Sequence, residues 1–392
     1  MNKYALRFYH KTIVLNLLLV SQVLVASKVI AQQPDQQAIA QVQPEVYASL
    51  DGAVGGISFT STDRLIFSYH PFYQPNIKVG ELLANGKVTP FPNSDWQQCH
   101  DPQGKPKDPD TCLNWVLGLR TDNQDKVWLL DSGQAEPRIE PKLVAWDTRK
   151  NQLDRIIHLP FPVSIPESQH NDFVISSRHQ AIIIADEGIA TGPIGDKAAL
   201  VVVDLTTGKS RRVLQGDNSV MPDLQRPLII DSHSTKPKQI DVYIGADGIA
   251  LDSAQHWLYF APMNKDKVYR VSMEDLLNPD LSTQALSAKV EAYADKPNNG
   301  GLSIDAANNL YLTEVGERAI GIIPANSRQY QTYAYDERMV WPDGVSFGKD
   351  GYLYSGAAQL PLSAALNHGK AENYPPYYIF RFKPLAAGVP GN

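Results

Sequence analysis

The stretch Gly245–Pro262, GADGIALDSAQHWLYFAP, decides the fold. Asp247-Gly248 opens it and Ile249-Ala250-Leu251 follows as a short apolar run. Asp252 to Gln255 make a polar turn, and Trp257-Leu258-Tyr259-Phe260 closes the unit. Two short apolar runs joined by a polar turn read as a β-hairpin. Five other segments repeat the figure. Ile57 to Phe67 turns at Asp63, and Leu117 to Leu129 at Asp122-Asn123. Phe173 to Ile184 turns at Arg178-His179, Leu302 to Leu312 at Asn308-Asn309, and Val345 to Tyr354 at Lys349-Asp350-Gly351. Four-stranded propeller blades recur roughly every 40–50 residues, and four to eight of them close a ring. The repeats therefore predict an all-β six-bladed β-propeller with about four antiparallel strands per blade. A generic β-sandwich with chance repetition would not keep the turn offset so constant. One short helix is expected near 272–278, with Ser272 as N-cap and Pro279 ending it.

The chain has 392 residues, 43% hydrophobic and 20% charged, which is ample for a core. Its 28 prolines and 26 glycines suit a turn-rich β protein. Blades pack around one axis, so residues 49–386 are expected as one domain, followed by a tail at 387–392. Residues 1–31 read as a signal peptide. Lys3, Arg7 and Lys11 are its basic end, Thr12 to Ala26 its apolar stretch and Val29-Ile30-Ala31 its cleavage site. The apolar run is shorter than the roughly 20 residues a membrane span needs, which favours cleavage over an anchor. Residues 32–48, Gln-rich at their start, are expected as a flexible leader. A secreted or periplasmic monomer follows.

Cleavage removes Lys3, Arg7, Lys11 and Lys28 and no acid, taking the formal charge from −6 to −10. An acidic chain without a Lys/Arg cluster is a poor partner for nucleic acid or an anionic membrane. The two cysteines, Cys99 and Cys112, flank HDPQGKPKDPDT. In an exported protein they are expected to form a disulfide. Closing a loop of about a dozen residues is worth roughly 3 kcal/mol in the chain-entropy picture.

In propellers of this layout the first strand of each blade lines a central channel, and the residues just before it sit at the mouth. Two positions before each first-strand start stand Gly55, Trp115, Asn171, Asp247, Gly300 and Asp343, with Asn114, His170, Asp172 and Asn299 beside them. The expected partner is a small molecule held by Asn171, Asp172, Asp247, Asn299 and Asp343, with Trp115 stacking on it. Asp-Gly and Asn-Gly pairs also serve tight turns on their own account, so convergence on one axis is what favours function. No cofactor is required. A ring of hard oxygens could instead hold Ca²⁺ or another divalent cation through Asn171, Asp247 and Asp343. Asp131, Glu187 and Glu314 end second strands and read as structural. Thr206-Thr-Gly-Lys-Ser210 lacks the first glycine of a phosphate loop, since position 203 is valine. There is no His-Glu-x-x-His.

At these residues the chain resembles the major royal jelly protein/yellow family, in the form of its bacterial members. The resemblance lies in Val127-Trp-Leu-Leu-Asp-Ser-Gly133, Asn171-Asp-Phe-Val174, Ala185-Asp-Glu-Gly188, Asp247-Gly-Ile-Ala-Leu251 with Leu258-Tyr259, and Trp341-Pro-Asp-Gly344 with Gly351-Tyr-Leu-Tyr354. It implies a secreted six-bladed propeller. Members of that family include dopachrome-converting enzymes, amine-binding salivary proteins and nutritive proteins, so isomerase- or oxidase-type activity on a bound ligand is one expectation. A more distant similarity is to gluconolactonase-type propellers, which implies a metal-dependent lactonase as the alternative. That metal site uses Glu, Asn and Asp; here the first blade presents Gly55 and Gly56 where the glutamate would stand. A non-catalytic protein-interaction module is the third expectation.

Overall fold

The structure, a computed structural model, describes residues 39–389. The expected signal peptide, leader residues 32–38 and tail residues 390–392 lie outside the described residues. Within them, six four-stranded antiparallel sheets follow one another along the chain. Blade 1 is β2 (Val54–Phe59), β3 (Leu65–Tyr69), β4 (Val79–Leu82) and β5 (Val88–Pro90). Blade 2 is β6 (Val116–Thr121), β7 (Lys126–Asp131), β8 (Lys142–Asp147) and β9 (Gln152–His158). Blade 3 is β10 (His170–Ser176), β11 (Ala181–Asp186), β12 (Ala199–Asp204) and β13 (Ser210–Val213). Blade 4 is β16 (Ala246–Leu251), β17 (Trp257–Pro262), β18 (Lys267–Ser272) and β19 (Glu291–Asp295). Blade 5 is β20 (Leu302–Ile304), β21 (Leu310–Glu314), β22 (Ala319–Ile323) and β23 (Gln331–Tyr335). Blade 6 is β24 (Pro342–Phe347), β25 (Leu353–Ala357), β26 (Tyr377–Phe382) and β1 (Glu45–Leu50). The expected six-bladed propeller is thus the fold.

Inner strands are buried on both faces, because each blade packs between two others. They read as nearly continuous apolar runs, as in Ala181-Ile-Ile-Ile184, every residue of which is buried. Outer strands alternate or turn polar, as in Gln152-Leu-Asp-Arg155, which is exposed. The core is correspondingly divided into layers between blades. Ile183 and Leu200 of blade 3 meet Ile249, Leu258 and Phe260 of blade 4, and Trp128 and Leu143 of blade 2 meet Ile182 and Val201 of blade 3.

One expectation near the chain ends is corrected. Tyr377–Phe382 is the third strand of blade 6, and the outermost is Glu45–Leu50, paired antiparallel with it from Glu45↔Arg381 to Leu50↔Tyr377. Residues 45–48 are therefore strand rather than leader. Their period-two pattern explains it: Val46 and Ala48 pack inward while Glu45 and Tyr47 face outward. Residues before them are docked too, with Val42 N–H donating to Tyr333 O at 2.9 Å. The expected helix appears as α1 (Met273–Leu277), its Asp275 N–H capped by Ser272 Oγ at 3.0 Å, and a second, α2 (Thr283–Ser287), follows it. Cys99 and Cys112 form the expected disulfide.

The widest gap between repeats holds an added hairpin, β14 (Leu228–Ile230) and β15 (Lys238–Ile240). Its apolar side joins Met263, Trp341 and Leu360 in a cluster over one end of the ring. Lys238 Nζ ties it to Asn367 Oδ1 at 2.8 Å, and Arg318 Nε ties its Asp231 at 2.6 Å.

Candidate functional site

The first strands enter the ring through a shared irregularity. In blades 1, 2, 3, 4 and 6 the register of first and second strands slips near the start, between Val54/Ile57, Val116/Leu119, His170/Phe173, Ala246/Gly248 and Pro342/Val345. A bulge bends the strand and re-aims the side chains at it. The leading bulge position is Gly55, Leu117, Asn171, Asp247 and Asp343 in those blades, with Gly300 at the matching place in blade 5. The next is Gly56, Gly118, Asp172, Gly248, Gly344 and, in blade 5, Gly301. Glycine there lets the strands crowd the axis. A Cβ on Gly118 would stand 2.3 Å from Asn171 O, and one on Gly344 would stand 2.8 Å from Gly55 O. Asp172 is the one side chain at that level.

This register places the six predicted ligand residues unequally. Asn171, Asp247 and Asp343 share a cavity of about 230 Å³ at the channel mouth. Asp172 lies just below it, bound to Arg120 Nη2 at 2.6 Å, in a narrow throat that also exposes Asn171, Asp247 and Asp343. Asn299 is fully buried and turns its amide N–H onto Gly300 O at 2.6 Å, away from both. Trp115 is outside the channel. The bulge shows that Leu117, two residues later, holds the blade-2 position. Leu117 and Leu119 continue one alternation, so the apolar pattern does not mark where the strand starts. Trp115 instead lines a separate cavity.

Sequence reasoning missed four contributors. Glu187, read as structural with Asp131 and Glu314, lines the cavity one residue after β11 ends. Gln169 lines it too and donates through Nε2 to Glu187 Oε2. His70 lines it with its Nε2 3.3 Å from Asp343 Oδ2. His70 Nδ1 accepts the Phe72 N–H at 3.3 Å, which leaves the ring proton on Nε2, facing the carboxylate. Trp341 is 3% exposed at φ 56°. A bulky residue in the left-handed region is rare outside constrained sites, and no sequence pattern announces it. Phe72, Met263, Val242, Ile244 and Leu360 complete the apolar wall, two of them from the segment leading out of the added hairpin.

The electrostatics are those of carboxylates short of partners. Burial, then the negative charges of Asp343 and Asp172, push the Asp247 carboxyl well up, against the pull of Lys296 and of the Asn171 amide that donates to it. Burial and the Asp247 charge push Glu187 well up as well. Asp172 rises through burial, partly offset by Arg120. Asp343 Oδ2 is buried and accepts no hydrogen bond. Lys296 is the nearby counter-cation. Its ammonium is held by the carbonyls of Pro262 at 2.8 Å and Lys265 at 2.7 Å, and burial drives its pKa well down.

The donor set does not fit a Glu/Asn/Asp cation site. Gly55 and Gly56 offer no side chain where the glutamate would stand, and a Cβ on Gly56 would meet Leu117 O at 2.6 Å. Asn171 presents its amide nitrogen to Asp247. Among the described residues no three His, Cys, Asp or Glu side chains group as a metal-ligand set.

The sequence model of the major royal jelly protein family matches residues 116–374, from blade 2 into blade 6. The chain belongs to the major royal jelly protein family. Major royal jelly protein 6 of Apis mellifera is 23% identical over 211 residues, 51% of this chain and 43% of that protein. Major royal jelly protein 1 of Apis mellifera is 22% identical over 209 residues, 52% of this chain and 47% of that protein. The matched part of this chain spans less than half the length of these curated relatives. Among solved structures, the calcium-binding protein regucalcin of Agrobacterium tumefaciens superposes with a TM-score of 0.55 at 14% identity, covering 90% of this chain and 99% of that one. A gluconolactonase of Xanthomonas campestris gives 0.55 at 9% identity, over 88% and 95%. These likenesses show the shared propeller fold and leave activity open. No helix among the described residues is long and apolar enough to cross a membrane. The disulfide suits an oxidising compartment.

Proposed function

We propose that this royal-jelly-family propeller is an exported, monomeric binding protein whose channel mouth takes a small aromatic or apolar molecule with a cationic head. One observation carries the reading: Asp343 keeps a buried oxygen that accepts no hydrogen bond, with His70 Nε2 3.3 Å from it, beside Asp247 and Glu187, each costly to ionise next to the other carboxylates. A cationic N–H donor would pair that oxygen and relieve the repulsion, while Phe72, Trp341 and Met263 would receive the apolar body. Asn171 would hold Asp247 in place, and Asp172, fixed by Arg120, would close the floor.

The test is a thermal-shift and calorimetry screen with tyramine, tryptamine and histamine beside neutral and acidic analogues. The amines should stabilise the chain, by about 2.7 kcal/mol at one hundred times Kd. Asp247→Asn and Asp343→Asn should remove that shift. An equal response to the acidic analogues would refute the reading.

A second reading has support from His70. Its proton faces Asp343, and Glu187 and Asp247 hold protons more firmly than ordinary carboxylates, so the cavity carries groups able to take and return a proton. Isomerisation of a bound aminochrome would use them. Loss of turnover with retained binding in His70→Gln would support it; absence of turnover in the wild type would leave binding alone.

A further inference from the structure

Trp115 lines a cavity of about 310 Å³ beside the channel mouth, at the lower end of the roughly 300–1,000 Å³ typical of ligand sites. Its ring packs against Phe72, centroids 5.8 Å apart, and Phe72 lines the channel cavity. The two rings are thus a partition between two separate chambers.

The walls of this second chamber are fixed by their own bonds. Asn114 spends its whole amide locally: Nδ2 donates to Ala135 O at 3.0 Å and Pro137 O at 3.1 Å, and Oδ1 accepts the Ala135 N–H at 2.7 Å. The Cys99–Cys112 disulfide holds the opposite loop. Gln98 donates through Nε2 to Asn76 O at 2.7 Å, and Gln134 through Nε2 to Ser168 O at 3.0 Å. Each amide is anchored by its nitrogen, and neither Oε1 accepts a hydrogen bond from a described residue. Lys78 Nζ uses one donor on Pro75 O at 2.6 Å and keeps two. Lys78 and Glu136 are the cation and the carboxylate among its lining side chains, with Glu136 turned toward Arg138, 3.6 Å away.

This chemistry differs from that of the channel. It offers an indole, two pre-oriented carbonyl acceptors and an ammonium donor, with no net charge. A charged ligand would meet one favourable and one opposing charge. An apolar one would leave the ammonium and the carbonyls unpaired and stripped of water. Hydroxyls donate and accept at once, and a pyranose has an apolar C–H face suited to an aromatic ring. We propose that the Trp115 cavity binds a neutral saccharide, its C–H face on Trp115 and its hydroxyls on Gln98, Gln134 and Lys78.

The test is saturation-transfer NMR and calorimetry on the full chain with methyl β-D-glucopyranoside, N-acetylglucosamine, lactose and cellobiose. At least one sugar should bind, with saturation strongest on its ring C–H protons. A glycopeptide bearing the same terminal sugar, run in parallel, tells a free saccharide from a protein-linked glycan, and binding of either supports the site. Trp115→Ala should weaken binding about tenfold or more and Gln134→Ala about threefold, while Asp247→Asn leaves it unchanged. No transfer from any probe at millimolar concentration overturns the proposal. So does unchanged binding in Gln134→Ala with a native melting temperature, which decides the matter even if Trp115→Ala fails to fold. Competition between sugar and a channel-binding amine also overturns it, since both would then share one chamber.

Discussion

Two sets of buried carboxylates sit at strand ends in different blades, and they live by opposite rules. Asp131 and Asp186 end second strands and are saturated. Asp131 accepts the N–H groups of Asn114, Trp115 and Gly133 at 2.9, 2.8 and 3.0 Å and the Lys142 ammonium at 3.1 Å, in a pair with no exposed surface. Asp186 takes the N–H groups of Gln169 and Gly188 and the Arg212 guanidinium. Burial pushes the Asp186 carboxyl up, but His170 and Arg212 hold it below the usual range. Asp247 and Asp343 lead first strands and are under-partnered. The first set latches the end of a second strand to the entry of the first strand of its own blade. The second set leaves unmet electrostatic demand at the channel mouth. A carboxylate is structural or available according to how many donors its strand position supplies.

The comparison is broken most forcefully at the saturated set. Asp131→Ala strands the Lys142 ammonium in the core and should cost about 3–5 kcal/mol, read from urea unfolding. The corresponding change at the channel, Asp247→Asn, should leave stability equal or higher because it removes a repelled charge. It should weaken amine binding about tenfold or more by calorimetry. A destabilisation matching that of Asp131→Ala would erase the distinction.

Titration sharpens the contrast. Asp247 and Glu187 are raised, so the folded state binds more protons than the unfolded chain above the ordinary carboxylate range. Their contribution is present at acid pH and lost as pH rises through that window toward neutral and beyond. Asp186 is lowered, so its contribution is present above the ordinary range and lost as pH falls through it. Unfolding free energy followed against pH should show both slopes, and a double change, Asp247→Asn with Glu187→Gln, should flatten only the first. The smallest effect concerns metal. With no carboxylate at Gly55 or Gly56, millimolar Ca²⁺ should move the melting temperature by less than about 1 °C. A larger stabilisation would make the channel carboxylates a cation site after all.

Much of this was open to reading in the chain. All six hairpins are period-two runs with polar turns, and burial of the inner strands on both faces makes the runs dense. Asn171, Asp247 and Asp343 follow from counting back from those runs. The count failed at Trp115 because Leu117 and Leu119 are both apolar and a bulge has no apolar signature. In blade 5 the count gives Gly300, which has no side chain to offer, and its neighbour Asn299 turns its amide onto Gly300 O instead. Glu187 and Asp186 are adjacent, and nothing in Ala185-Asp-Glu-Gly188 says which is latched. His70 and Trp341 reach the cavity through backbone geometry alone. The closing strand was hidden for another reason: Glu45 and its partner Arg381 are 336 positions apart, and six residues with three inward side chains, Val46, Ala48 and Leu50, make a weak local pattern.

That seam has a consequence for the order of assembly. Blade 6 takes its outermost strand from residues made before blade 1 and its other three from residues made after blade 5. Five blades can therefore form while the chain is still growing, yet the circle stays open until Tyr377–Phe382 has emerged, with Glu45–Leu50 waiting beside an unfinished sheet. The channel, and anything that depends on its enclosure, comes into being in a single late step.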